Sequence, residues 1–548
     1  MVAVLKKQAE NTGFDLNEFR RRFPATVANF ASLPNREMWL RRITELDERW
    51  RESFAADFNK NNREVLINGN PPAGLEVETD FEIIYAGGGL GLIHAAVMSA
   101  KYKRKILVFD AHTVGKTHRD WNISDEELVE FTRAGLFSKD EIEQAVVNRY
   151  DNGFVKFHDS NSRHKTPPLV MQGVLDVAVE ADRLLQLATE KIKNSATGSV
   201  LINNLRFMRA YTGSDKVFVE TEDIKTGERR LFSARLFVDA TGTNSPASRQ
   251  INNNRSITHV CPTVGTVARG FARGAEKDEV DFKVGEILVS TEDASDHRQL
   301  IWEGFAGNPR KDEYTTYLFF YDSVESKADK SLLALFEAYF EKLPAYKRQT
   351  NGWRVVKPVF GYIPSFHHHG WQNQKRTAAE RVLLVGDAAG LSSPLTFCGF
   401  GSHVRNLRRL TDLTEKALKA DSLDAAALSG INAYEPRVAQ MASLAEFMRP
   451  TERSKPAVVN ETMNAVMAAL QNLDENVGRD LFKDRISFAS FKKLLKKTAA
   501  IHPTVFRRMF EHLGVKGSFW WIANIAESAL QESRVKNPLK NRTHDSRL

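Results

Sequence analysis

FEIIYAGGGLGLIHAAVMSAKYKRKILVFD, residues Phe81 to Asp110, spells out a strand, a turn, a helix and a second strand in thirty residues. Phe81 to Ala86 is a short apolar, β-rich run, Gly87 to Gly91 permits a backbone too tight for side chains, and Leu92 to Ala100 has helical spacing. Lys105 to Phe109 supplies the next strand. Such a unit is a dinucleotide cradle: a pyrophosphate approaches bare N–H groups at the positive end of the helix, and Gly87, Gly88, Gly89 and Gly91 keep side chains out of its way. Asp110 ends the second strand about 20 residues after the first glycine, where an acid accepts hydrogen bonds from an adenosine ribose. The GxGxxG frame is incomplete, however. Counted from Gly87 it has Leu92 at the third position, and counted from Ala86 it has Gly88 and Gly91 but no first glycine. On this stretch alone, an ordinary glycine turn in an α/β protein stands as the plain alternative.

Outward from the cradle, two more segments carry the same chemistry. The run RLFVDATGTNS takes a buried strand, Leu236 to Val238, into a turn of small residues, Asp239 to Gly242, suited to lie beside a nucleotide. Some 140 residues later, RVLLVGDAAG takes the strand Val382 to Val385 into Gly386, which projects Asp387, while Ala388, Ala389 and Gly390 allow close approach and a helix begins near Phe400. An aspartate at such a turn binds a ribityl hydroxyl; a purely structural turn is the other reading. Between cradle and returns, HTVGKTHRDWNIS and two short helices within Asp125 to Arg149 form an excursion of the kind that crosses a ligand, with Trp121 either a packing anchor or a contact. Val174 to Lys193 reads as an amphipathic helix.

The chain therefore divides into a helical N-terminal extension (1–79), the first part of a dinucleotide-binding domain (80–254), an antiparallel-sheet domain (255–375), a return segment (376–412) and a helical C-terminal region (413–548). The fold class expected is α/β: a Rossmann-like dinucleotide-binding domain, a second antiparallel-sheet substrate domain, and helical extensions at both ends. In the second sheet, Trp302, Phe305, Phe319 and Phe320 are candidates to wall an apolar pocket, with Glu303 and Asp322 the acids among them. For each aromatic the alternative is plain core, and for each acid a strand end facing water. The C-terminal helices carry apolar stripes edged by Lys and Arg, with Phe519, Trp520, Trp521 and Ile522 adjacent, suiting either a membrane surface or a packed subdomain.

Composition narrows the classes. With 548 residues and 42% hydrophobic residues the chain buries a substantial core. No charge-free apolar run is long enough to span a bilayer and no secretory signal precedes the first helix, so a cytoplasmic location with peripheral membrane association is expected. The excess of 77 Lys and Arg over 69 Asp and Glu is modest, and the basic tail lacks interleaved aromatics, so nucleic acid is not an expected partner. Cys261 and Cys398 lie far apart and read as packed thiols. The run His367 to His369 sits in a Gly and Pro loop without a spaced carboxylate or cysteine, and no metal site is expected.

Together the cradle, VDATG and GDAAG resemble the flavoprotein monooxygenase superfamily. RDWNIS, VDATGTNSPASRQ, CPTVGTVARGF, RQLIWEGF, TTYLFFYDS and GDAAGLSSPLTFCGFGSHVRNL further resemble the CruA-type lycopene cyclases and their CruP-type paralogues, over roughly residues 80 to 445. The resemblance implies a flavoprotein holding FAD, active in its reduced form with NAD(P)H a candidate reductant, that closes β-ionone type rings at the ends of a linear carotene drawn from the membrane. Such chemistry needs a proton delivered to an alkene by an acid kept neutral by burial, for which Asp322 is the first choice and Glu303 the second. Reduced flavin and the faces of Phe319 and Phe320 would steady the cation. The competing expectations are a monooxygenase or reductase of the same fold acting on an isoprenoid, and a carotenoid-associated paralogue without cyclase activity.

Overall fold

The computed structural model describes residues 15–54, 64–366, 375–391, 395, 399–433 and 444–536. In chain order it comprises helix α1 (Arg36–Phe54), strand β1 (Val77–Ala86), α2 (Leu90–Ala100), β2 (Ile106–Asp110), β3 (Asn152–Lys156), α3 (Ala181–Lys193), β4 (Val200–Asn203), β5 (Leu205–Thr212), β6 (Val217–Asp223) and β7 (Arg229–Asp239). There follow β8 (His259–Phe271), β9 (Val284–Val289), β10 (Ile301–Ala306), β11 (Tyr314–Phe319), α4 (Leu332–Tyr346), β12 (Gln349–Ser365) and β13 (Val382–Leu384). The last major helices are α5 (Gly399–Ala420), α6 (Val458–Gln471), α7 (Phe488–Ile501) and α8 (Val505–Lys536), with further short elements between.

Strand β1 ends as an unbroken apolar run, Ile83 to Ala86, with no exposed surface on either face, as a central parallel strand requires. It lies between β2 and β7, both parallel to it, in a nine-stranded sheet; β4 extends the sheet beyond β2, and β6 and β5 continue from β7 as an antiparallel meander. Strand β13 joins β7 in parallel. Helix α2 is buried from Gly91 to Ser99, so it is a core helix rather than a surface amphipath.

The second sheet has eight strands, dominated by the long antiparallel pairing of β8 with β12, in which Val264 opposes Phe360. Strands β11, β10 and β9 follow, and β3 closes on β9. Thus β3 and the short strand Leu169–Met171, which lie within the segment expected to serve only the dinucleotide domain, belong to the second sheet. The expected helix Val174 to Lys193 begins instead at Ala181, because Val177–Val179 forms a strand between Trp121–Ile123 and Val146–Arg149.

The N-terminal extension is clamped to this sheet. Asp47 on α1 accepts hydrogen bonds from the Leu332 amide at 2.8 Å, the Ser331 hydroxyl at 2.7 Å and the Tyr362 hydroxyl at 2.7 Å, so it caps α4 and grips β12 at once. Trp50 stacks on Tyr362 at 4.4 Å. In return, Glu337 of α4 accepts from the amides of Ala25 and Thr26 at 2.8 and 2.9 Å, capping the helix Pro24–Asn29. Cys261 is buried, Cys398 and His367 to His369 lie outside the described residues, and among the described helices none is long and apolar enough to cross a membrane.

The turn after β1 depends on a glycine. Gly87 has φ +110, and a Cβ there would lie 2.2 Å from the carbonyl oxygen of Ala240. Gly87→Ala is therefore expected to cost about 2–3 kcal/mol, read as a lowered urea midpoint; an unchanged midpoint would contradict this packing.

Candidate functional site

Four strand ends meet at one edge of the first sheet. Ala86 of β1 is in register with Phe109 of β2 and with Asp239 of β7, and Asp239 is in register with Leu384 of β13. The chain leaves each strand there through a turn, bringing Gly87 to Gly89, Asp110, Ala240 to Gly242 and Gly386 to Ala388 together, as such an edge does at a ligand crevice. Asp110 accepts hydrogen bonds from the Gly88 amide at 2.8 Å and the His112 amide at 2.7 Å, one on each oxygen. Each oxygen keeps a second lone pair for a ligand hydroxyl. Gly89, the N-cap of α2, has open space where a Cβ would project, whereas Gly91 presses its Cα against Ala240 so closely that a Cβ would fall 2.4 Å from the Ala240 methyl.

Asp239 holds the second turn. Its buried carboxylate accepts from the Thr241 amide at 2.8 Å, the Thr241 hydroxyl at 2.7 Å and the Ser245 hydroxyl at 2.6 Å. Desolvation pushes its pKa up while these donors pull it down. The third turn projects Asp387, whose carboxylate lies 3.5 Å from the Arg119 guanidinium. Beneath it the buried Lys375 ammonium points at the Ala388 carbonyl, 3.4 Å away. Burial lowers the Lys375 pKa to about 7, with Asp387 opposing.

Between this edge and the second sheet lies a cavity of about 120 Å³. Its floor is Asp387, Leu90 and the start of α5 at Gly399 and Phe400; its side is the loop Arg119 to Asn122; its roof is the second sheet. Strand alternation decides which roof residues face it. Thr263, Glu303, Phe305, Tyr317, Val359, Gly361 and Ile363 all line the cavity, and the registers Glu303↔Tyr317, Thr263↔Gly361 and Gly265↔Val359 put them on one face. Trp121 both lines the cavity and stacks on Phe400 at 4.5 Å, so its packing and its contact roles coincide.

The candidate aromatics fare differently. Trp302 alternates to the opposite face, where it stacks on Tyr346 of α4 at 4.5 Å. Phe319 shares the face of Tyr317 but lies beyond the cavity against Tyr321, and Phe320 is buried beneath the Arg298 guanidinium. Of the six aromatic and acidic candidates in the second sheet, Glu303 and Phe305 line the cavity.

The two acids also separate. Glu303 is 7% exposed, faces the cavity, and has no hydrogen-bonding or ionic partner among the described residues; burial raises its pKa well above the usual glutamate range. It is a carboxyl group that holds its proton in an apolar setting. Asp322, the first choice from sequence, is instead paired with Lys330 at 2.9 Å and hydrogen-bonded by Ser326, and it borders a different cleft beside the C-terminal helices. Asp322 is thus held beside a buried ammonium and does not line the cavity between the sheets.

Sequence reasoning missed Arg119, Asp120, Tyr317 and the N-terminal residue Arg42. Asp120 accepts from Lys357 at 2.7 Å and from the Thr315 hydroxyl at 3.1 Å, tying the loop to the roof. Burial lowers the Arg42 pKa and the nearby Asp110 opposes, so α1 contributes a cation near Asp110. The loop residue His118, half-buried and hydrogen-bonded to the Phe360 carbonyl at 2.8 Å, is held neutral at a pKa of about 3 by desolvation.

No protein-family model matches the chain, and no curated protein sequence does. Solved structures do. A geranylgeranyl bacteriochlorophyll reductase-like protein from Thermoplasma acidophilum superposes with a TM-score of 0.57 at 14% identity, covering 79% of this chain and 99% of that one. The halogenase PltM in complex with phloroglucinol and FAD gives 0.53 at 14% identity, covering 82% and 96%. The p-nitrophenol 4-monooxygenase PnpA from Pseudomonas putida gives 0.51 at 14% identity, covering 76% and 99%. At these identities the likeness establishes the fold: a Rossmann-type α/β domain joined to a second, largely antiparallel sheet.

The two acids should behave oppositely in stability measurements. Glu303 binds its proton more tightly folded than unfolded, so its burial costs nothing below the ordinary glutamate pKa of about 4.3 and destabilises progressively as pH rises towards its folded value. Glu303→Gln should therefore raise the urea midpoint at pH 7–8 and match the parent near pH 4. Asp322→Asn should lower stability at neutral pH by about 3 kcal/mol, because it leaves the buried Lys330 charge uncompensated.

Proposed function

We propose that the chain binds FAD along the edge where the four strand ends meet and works as a flavoenzyme on an apolar, isoprenoid-type substrate admitted to the cavity between the sheets. The observation that carries this reading is the meeting of the cradle, the Asp239 turn and the Asp387 turn at one edge that opens directly onto Glu303. The glycines fit a pyrophosphate: the space beside Gly89 is open, while Gly87 and Gly91 are closed against the Ala240 turn. Asp110 would bind the adenosine ribose through its remaining lone pairs, Asp387 a ribityl hydroxyl, and the N-terminus of α5 would present a positive dipole end to the flavin ring. FAD, when bound, supplies two-electron transfer to a substrate or to oxygen.

The named activities of the fold neighbours, a reductase-like protein, a halogenase and a monooxygenase, support redox chemistry as the first reading. In a reduction of a carbon–carbon double bond one carbon takes a hydride and the other a proton. Glu303 is the group on the cavity wall that holds such a proton, and Phe305, Val359, Phe360 and Ile363 keep water from the same space. A second reading, cyclisation of the ends of a linear carotene, is favoured by the same residue, because acid-initiated ring closure needs a neutral, desolvated carboxyl group and no net electron transfer. With Asp322 paired to Lys330, Glu303 becomes the acid in both readings.

A membrane source for the substrate is supported by α8. Phe506, Phe510 and Ile522 are each about half exposed, Phe519 about two thirds and Val515 83%, on a helix kinked at Gly514, while Trp521 packs inward against Phe447. The Trp520 side chain lies outside the described residues.

The test supplies FAD-loaded protein with lycopene in lipid vesicles, with and without NAD(P)H and oxygen, and weighs the product. The redox reading predicts a product heavier by hydrogen or oxygen with matching consumption of reductant. A product of unchanged mass moves the reaction to cyclisation. In either case Glu303→Gln should slow turnover by about 10²–10⁴-fold with flavin content unchanged, and turnover at the parental rate in that variant would remove Glu303 from the chemistry.

A further inference from the structure

Away from the cavity, three segments distant in sequence bring metal-binding groups together. His164 lies in the loop after β3, Glu461 on the first turn of α6, and His502 is the C-cap of α7. One ligand atom from each lies within 4.8 Å of the others. The Nε2 of His164 and the Nδ1 of His502 face each other at 3.2 Å, with the rings at 86°. A tetrahedral ion about 2.0–2.1 Å from each nitrogen holds its ligand atoms about 3.3–3.4 Å apart, so the imidazole pair is already spaced as two ligands of one ion.

The surrounding groups orient the set. The other nitrogen of His502, Nε2, is hydrogen-bonded to the Thr504 hydroxyl at 2.9 Å, which steadies the ring with Nδ1 turned to His164. Arg508 donates to Oε2 of Glu461 at 2.8 Å and anchors itself on the Val458 carbonyl at 2.7 Å, so one carboxylate oxygen is fixed. The other, Oε1, has Arg163 at 3.6 Å, a side chain 84% exposed and free to swing away. Glu461 and His502 border a cleft of about 920 Å³, which gives an ion and a water ligand a path in.

We propose that His164, His502 and Glu461 form a binding site for a divalent transition metal ion of the zinc type, with water in the fourth position. Two imidazoles and a carboxylate favour zinc over calcium or magnesium, which prefer all-oxygen shells. The site joins the second sheet, through the loop after β3, to the helices α6 and α7 that no strand pairing holds. Its role is that of a clip between the sheet that carries Glu303 and the C-terminal helices.

The experiment uses the full-length protein, stripped of metal with a chelator and titrated with Zn²⁺ alone by calorimetry. One ion per chain is expected, with affinity lowered by at least about 100-fold in His164→Ala and by about 10-fold or more in Glu461→Gln and Thr504→Val. Far-ultraviolet circular dichroism of the variants checks their folding, and Co²⁺ in place of Zn²⁺ should give the visible absorption of a four-coordinate ion in the parent. Millimolar or weaker Zn²⁺ binding by the parent, or parental affinity in a folded His164→Ala, would overturn the assignment.

Discussion

The pairing of β7 between β1 and β13, ended by the buried carboxylate of Asp239, is the constraint on which the rest of the structure depends. Asp239 stands in register with Ala86 on one side and Leu384 on the other, and its carbonyl accepts the Val385 amide at 3.0 Å. Its side chain holds Thr241 and Ser245, so the Ala240 turn is rigid where it meets Gly87 and Gly91. A buried carboxylate is costly unless donors surround it, and three surround this one. That local satisfaction fixes the central one of three turns that share this edge though some 300 residues of chain separate the first from the last.

The second sheet completes the site by a different rule. Its contribution is the side-chain alternation of four adjacent strands, which sets Thr263, Glu303, Tyr317 and Val359 on one face while Trp302, Thr316 and Tyr339 lock the other face to α4. Helix α4 is in turn capped by Asp47, so the N-terminal extension stiffens the roof of the cavity from behind. Glu303 is thus placed by strand register and by packing on the far side of its own strand. Its raised pKa follows from desolvation by burial, and Asp322 shows the contrast: further along the same chain, a lysine partner makes an acid half of an ion pair.

Much of the first sheet was legible because its demands are local. A glycine-rich turn, a following helix and an acid at the end of the next strand are adjacent in sequence, and DATG and GDAAG announce tight turns in four or five letters. The second sheet was legible as strands but not as a surface. Period-two alternation alone tells that Trp302 and Glu303 cannot both face one cavity, but which of them does depends on where α4 packs. The pairing of Asp322 with Lys330 depends on the turn at Val324 and Glu325, and the grip of Asp47 on Tyr362 spans 315 residues, so neither leaves a pattern in the sequence. The crossing of β3 into the second sheet was hidden for the same reason: a five-residue strand carries no mark of which sheet it joins. His164, Glu461 and His502, likewise, share no motif and become a group only in the fold.

The central claim is that the edge built on Asp239 and the cavity bearing Glu303 form one site for a flavin. Titration of flavin-free protein with FAD, followed by quenching of flavin fluorescence, tests it most directly. The account predicts saturation at one FAD per chain, binding weakened strongly by Asp387→Ala, and a flavin absorption spectrum that shifts with pH in the parent but not in Glu303→Gln. Absence of saturable FAD binding, or a flavin spectrum indifferent to both substitutions, would contradict it.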